Sequence, residues 1–219
     1  MDENWLLLRL LFLIPLLLSL SVHEWAHAWT AWRLGDPTAE MQGRLTLNPI
    51  AHIDPIGTLL LPLLGVPLGW AKPVPVNPAR FRKDVKMGTG IFLTAAAGPL
   101  SNLCIALLFV FISAALLVWA PQVLANNSLV AHFLSVMIFL NVILAVFNML
   151  PIPPLDGSRV VDGLVPDALR PAWDHYAQFG PLALVAVILL PVLFGINLVA
   201  WPLAMTQSLL RLLVDLLGG

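Results

Sequence analysis

The stretch from Trp5 to Val22 is dominated by Leu, Phe, Ile and Val, and it runs without a break into His23-Glu24-Trp25-Ala26-His27. An apolar run of about 20 residues is long enough to cross a bilayer as a helix. In lipid the backbone has no water to bond to, so such a run must be helical. On a helix, residues i and i+4 share a face, which lets the imidazoles of His23 and His27 serve one point. Glu24 stands beside them. Ionisable residues within a span are costly, and several within five residues mark a functional site. Two imidazoles at this spacing suit one metal ion, zinc above all. The adjacent carboxylate suits the handling of a water proton.

Composition carries this reading to the rest of the chain. Hydrophobic residues are 59% and charged residues 11% of the 219 residues, where a soluble domain has about 25% charged. Mean hydropathy is +0.91. The expected fold is an all-α polytopic membrane protein, a bundle of about four to six transmembrane helices. Its length suits a single transmembrane domain over residues 1–219, with a core at 5–160 and a C-terminal helical segment at 179–217. A net charge of −1 sets up no field for nucleic acid, so none is expected as a partner. The lone Cys104 excludes an intrachain disulfide and a multi-cysteine metal site, and is expected to be a small buried hydrophobe. The start, Met1-Asp2-Glu3-Asn4, is acidic where a cleavable signal needs basic residues, so the first run is expected to be kept.

Punctuation divides the chain. The first helix is expected from about Trp5 to Leu34, ended by Gly35-Asp36-Pro37. The alternation in Gly43-Arg44-Leu45-Thr46-Leu47-Asn48 suggests a short β-hairpin. Residues Pro55 to Trp70 are apolar but short and broken by Gly and Pro, which fits a re-entrant segment better than a span. Prolines at 73, 75 and 78 force an extended path over Lys72–Pro78. Helices are then expected over Met87–Ala120, with Gly98-Pro99 inside, and over Leu129–Leu150, which ends in Pro151-Ile152-Pro153-Pro154-Leu155-Asp156-Gly157. The stretch from Phe179 to Leu217 reads as one kinked span or a pair.

Seven of the eleven Lys and Arg residues lie between the first and second long helices: Arg33, Arg44, Lys72, Arg80, Arg82, Lys83 and Lys86. Arg159 and Arg170 follow the 129–150 helix, and the loop at 121–128 has none. The positive-inside rule puts the 33–86 and 155–175 regions in the cytoplasm, provided that 55–70 enters and leaves on one side. His23 lies about 27 Å along the first helix from Trp5, near the cytoplasmic edge of the hydrocarbon layer. Asp156, just past another helix on that side, is the natural third ligand. A catalytic zinc takes three protein ligands and keeps one position for water.

These residues together resemble the site-2 protease family of intramembrane zinc metalloproteases. The likeness rests on the His-Glu-x-x-His helix and on Asn148-Met149-Leu150-Pro151-Ile152-Pro153-Pro154-Leu155-Asp156-Gly157. Ala97-Gly98-Pro99-Leu100-Ser101-Asn102 and Gly69-Trp70-Ala71-Lys72-Pro73-Val74-Pro75-Val76 complete the order. It covers about residues 15 to 160 and is closest to the minimal core form, without a PDZ or C-terminal sensing domain. The resemblance implies one zinc on His23, His27 and Asp156, a general base at Glu24, and a single-span membrane protein as substrate. It also implies a role for Asn148 in positioning the substrate backbone.

A transmembrane substrate helix must unwind before its carbonyls can be attacked. The unwound strand can add to an extended edge, either at Val74 and Val76 or at Leu45, Thr46 and Leu47. Missing donors at the prolines weigh slightly toward Leu45–Leu47. The expected location is a prokaryotic inner membrane, with the site near its cytoplasmic face. Two other classes differ in chemistry. A zinc-dependent transporter calls for further polar residues along several spans, which here are nearly all Leu, Val, Ile and Ala. A catalytically idle chaperone or scaffold is expected to have lost Glu24 or a ligand, and none is lost.

Overall fold

The apolar runs become helices that leave apolar side chains on the outside. The structure, a computed structural model, describes residues 5–65, 69–195 and 199–218. Three long helices form the centre: α1 (Trp5–Arg33), α2 (Met87–Trp119) and α3 (Ser128–Asn148). They are followed by α4 (Asp156–Leu164), α5 (Arg170–Ala177), α6 (Gly180–Phe194) and α7 (Ala200–Gly218). Among the described residues there is no β-strand. Three helices are long and apolar enough to cross a membrane, or up to four if Asp167–Ala177 and Gly180–Leu190, bent by 63°, make one broken span. The chain is an integral membrane protein of all-α class. The apolar stretch near the C-terminus resolves into two helices, α6 and α7, parted at Gly195, whose φ of +67° is left-handed.

Helix α2 is the axis of the bundle. Gly90, Thr94, Gly98, Asn102, Ala106, Val110 and Ala114 recur at every fourth position and are all buried. Such a stripe of small residues lets neighbouring backbones approach closely. Helices α1, α3, α4 and α7 pack along α2. At the α2–α4 crossing, glycines face each other: a Cβ on Gly88 would come within 2.6 Å of the Gly163 carbonyl. The opposite side of α2 shows Leu100, Leu103, Leu107, Leu108 and Phe111, each at least 43% exposed. Surface of this kind belongs against lipid tails. Cys104 lies on this exposed side and not in the core. The helix is buried along one stripe only, and Cys104 sits two residues past Asn102, off that stripe.

The expected β-hairpin over Gly43–Asn48 does not form. Thr38–Met41 is a helical turn, and local side-chain bonds claim the residues after it. Thr46 Oγ1 accepts from Asn48 N–H and Asn48 Oδ1 from Ile50 N–H, an arrangement that competes with a strand ladder. The flanks of the apolar segment that follows are tied to each other. Lys72 N–H donates to the His52 carbonyl at 2.9 Å, and Thr58 Oγ1 donates to the Trp70 carbonyl at 2.7 Å. Between these ties Pro55–Leu60 forms a wide, π-type helix capped by Asp54, and it continues into helical Leu61–Leu64. The Trp70 indole lies directly over Gly57, where any Cβ would collide with it.

Beyond α1 the chain is clamped to the extended segment. Asp36 is fully buried; its Oδ2 accepts from Asn77 N–H at 2.6 Å and its Oδ1 from Thr38 N–H at 3.0 Å. The buried Arg44 guanidinium donates to the Lys72 carbonyl from behind.

Candidate metal centre and active site

His23 and His27 lie on the face of α1 that meets α2 and α4. Their Nε2 atoms are 3.1 Å apart. Asp156, the first residue of α4, brings its Oδ2 to 3.1 Å from His23 Nε2 and 3.2 Å from His27 Nε2. The structure holds α4 close: a Cβ on Gly157 would run into the Met149 and Leu150 carbonyls at the end of α3. The Pro151–Leu155 linker that turns the chain back contains a cis peptide between Pro153 and Pro154.

The proton positions follow from what each Nδ1 faces. His27 Nδ1 is 2.7 Å from the Thr94 carbonyl, which can only accept, so the ring proton is on Nδ1. His23 Nδ1 is 2.6 Å from Asn102 Oδ1, with the same result. Both Nε2 atoms therefore turn lone pairs toward Asp156 Oδ2, a buried oxygen with no well-formed hydrogen bond. Three lone-pair atoms do not gather at 3.1–3.2 Å unless a cation joins them. A tetrahedral zinc with bonds of about 2.0–2.1 Å holds its ligand atoms about 3.3 Å apart. Donor set, spacing and tautomers all fit that ion.

Gly98 forms the floor of this cradle. A Cβ there would collide with His27 Nε2 and come within 2.7 Å of His23 Cε1. Glu24 is 9% exposed. Its Oε2 accepts from Val74 N–H at 2.8 Å, and its other oxygen takes no protein donor among the described residues. These groups open onto a cavity of about 750 Å³. Its walls are mainly apolar, with Leu20, Ile91, Leu144, Phe147, Leu184 and Ile188 among them.

Val74, Val76 and Asn148 also line this cavity, whereas Leu45, Thr46 and Leu47 do not. Leu45 packs instead against Ala28, Ala39 and Val74, and the Thr46 carbonyl accepts from His52 Nε2. Asn148 Nδ2 donates to the Leu144 carbonyl one turn back. The sequence reading gave no role at the site to Thr94, Arg44 or Asn141. Asn141 carried a signal, being a polar residue in an apolar span seven residues before Asn148. Arg44 and Thr94 act on or through backbone carbonyls that no pattern in the sequence marks.

A Bacillus subtilis protein named "Putative zinc metalloprotease YwhC" is 40% identical over 202 residues, which are 91% of this chain and 89% of that protein. The profile of peptidase family M50 matches residues 118–191. The chain belongs to peptidase family M50, the site-2 protease family. By family it is a zinc metalloprotease, and among the described residues His23, His27 and Asp156 form a group that could hold a metal ion, with Glu24 beside them. A second relative, "Putative zinc metalloprotease Rip2" of Mycolicibacterium smegmatis, is 34% identical over 187 residues, 84% of this chain and 70% of its own. The Rip2 of Mycobacterium tuberculosis strain H37Rv is 31% identical over 179 residues, 82% of this chain and 66% of its own. No solved structure matches the chain.

Proposed function

We propose that this chain hydrolyses peptide bonds in or near the transmembrane segments of single-span membrane proteins, with one zinc per chain held by His23, His27 and Asp156. The observation that carries this reading is the convergence of two buried histidines, the half-buried Asp156 and Glu24 at an apolar cavity inside a membrane-integral bundle. Zinc in such a site supplies Lewis acidity, which acidifies water and polarises a carbonyl. Glu24 takes the water proton on its free oxygen and delivers it to the leaving amine. Val74 N–H fixes the other Glu24 oxygen and so aims the carboxylate.

The substrate strand pairs with the extended segment at Val74–Asn77. That segment borders the cavity, and Val76 N–H has no protein partner among the described residues. Apolar walls suit a peptide drawn from a membrane span. The test is cleavage of a panel of single-span proteins by the purified chain in detergent or liposomes. Zinc-dependent cleavage near the membrane segment, abolished by chelator, is the expected result. Cleavage confined to soluble polypeptides would overturn it.

The site lies toward the cytoplasmic face of a prokaryotic inner membrane. The basic residues at 33–86 and the closed loop between His52 and Lys72 support this orientation. Single cysteines replacing the exposed Glu40, Lys83 and Asp167, in a Cys104→Ser background, are expected to label from the cytoplasmic side together. A cysteine at Asn126 is expected to label from outside. Opposite labelling at Glu40 and Lys83 would show that residues 55–70 cross the membrane, and the orientation would be lost.

A further inference from the structure

His27 takes its tautomer from a main-chain carbonyl, but His23 takes its own from side chains alone. Behind Asn102 stands Asn141 of α3, and both are fully buried. We propose that Asn141, acting through Asn102, fixes the tautomer of His23 and thereby sets how tightly the centre holds its metal. This rests on His23 being a ligand, as read above.

The polarity of the pair can be followed from its far end. The Met137 carbonyl can only accept, and Asn141 meets it at 2.8 Å, so the Asn141 amide nitrogen faces that carbonyl. The same nitrogen donates to Ser19 Oγ at 2.8 Å. Asn141 Oδ1 is therefore turned to Asn102, whose Nδ2 donates to it at 2.8 Å. The second hydrogen of Asn102 Nδ2 goes to the Ser19 carbonyl at 3.3 Å, another group that only accepts. Asn102 Oδ1 is left facing His23 Nδ1 at 2.6 Å. A flipped Asn102 would set its amide hydrogens against His23 Nδ1 and move the ring proton to Nε2. A proton there occupies the lone pair that points at Asp156. The flip would also face the Asn102 oxygen to Asn141 Oδ1 and the Ser19 carbonyl, acceptor against acceptor.

Asn102 and Asn141 are thus positioning residues. Partners that orient a ligating histidine are typically worth about 10–100-fold in metal affinity. The test measures zinc affinity of the purified full chain by chelator competition, with thermal unfolding of each metal-free variant as a control for folding. Asn141→Leu and Asn102→Leu are expected to weaken zinc binding by roughly 10–100-fold.

Histidine ¹⁵N spectra of the metal-free native chain are expected to show His23 as the Nδ1–H tautomer, with the Nε2–H form appearing in Asn141→Leu. Native zinc affinity together with an unchanged tautomer in Asn141→Leu overturns the inference. So does an Nε2–H His23 in the native chain, a result that needs no variant to fold. A native chain that binds no more zinc than His23→Ala/Asp156→Ala overturns the reading of the site itself, and this inference with it.

Discussion

Glu24→Gln is expected to keep its zinc and to lose at least ~10²-fold in turnover, since a general base is typically worth roughly 10²–10⁴. The substitution separates two roles of one side chain. Glutamine Oε1 can still accept from Val74 N–H, the bond now made by Glu24 Oε2 at 2.8 Å, so the extended segment stays where it is. Lost is the oxygen that can take a proton. Zinc content by atomic absorption and single-turnover cleavage of a single-span substrate measure the two effects separately. Near-native turnover would assign the base to another group.

The second large effect is on the metal. His23→Ala/Asp156→Ala removes two of the three donors, and stoichiometric zinc is expected to vanish with it. Metal retained at one per chain would place the centre elsewhere. Gly98→Ala is a subtler form of the same experiment. It leaves every donor in place and adds one methyl group where the structure has the His27 and His23 rings. Close-packed interiors do not absorb such a collision without movement. Both rings are expected to shift, with zinc affinity and activity falling together while the bundle remains folded.

The proximity of His23, His27 and Asp156 was legible in the sequence where local geometry decides. His23 and His27 follow from the pitch of one helix, and Glu24 from its place beside them. Asp156 follows from prolines that must release the chain just past α3. Less legible were residues whose roles depend on what lies across an interface. Asn141 meets Asn102 through α2–α3 packing, and nothing local to Asn141 announces that partner. Cys104 was expected inside because it sits among apolar residues, but in a membrane apolar surroundings do not distinguish core from lipid face. The hairpin expected at 43–48 failed for the opposite reason. Its alternation was real, but Thr46 and Asn48 satisfied the backbone locally before a strand partner could.

The extended segment between Lys72 and Asn77 is tied to four partners, His52, Arg44, Glu24 and Asp36. Prolines at 73 and 75 stiffen it further. Ordering a loose strand costs roughly 1–2 kcal/mol per residue. In this chain that entropy is spent during folding and not at the encounter with a substrate. On the proposed function, an unwinding transmembrane helix, which must already give up its own hydrogen bonds, would meet a wall whose conformation is settled. Under that proposal, weak and transient partners would be held long enough to be cut, because only one of the two strands has to be ordered.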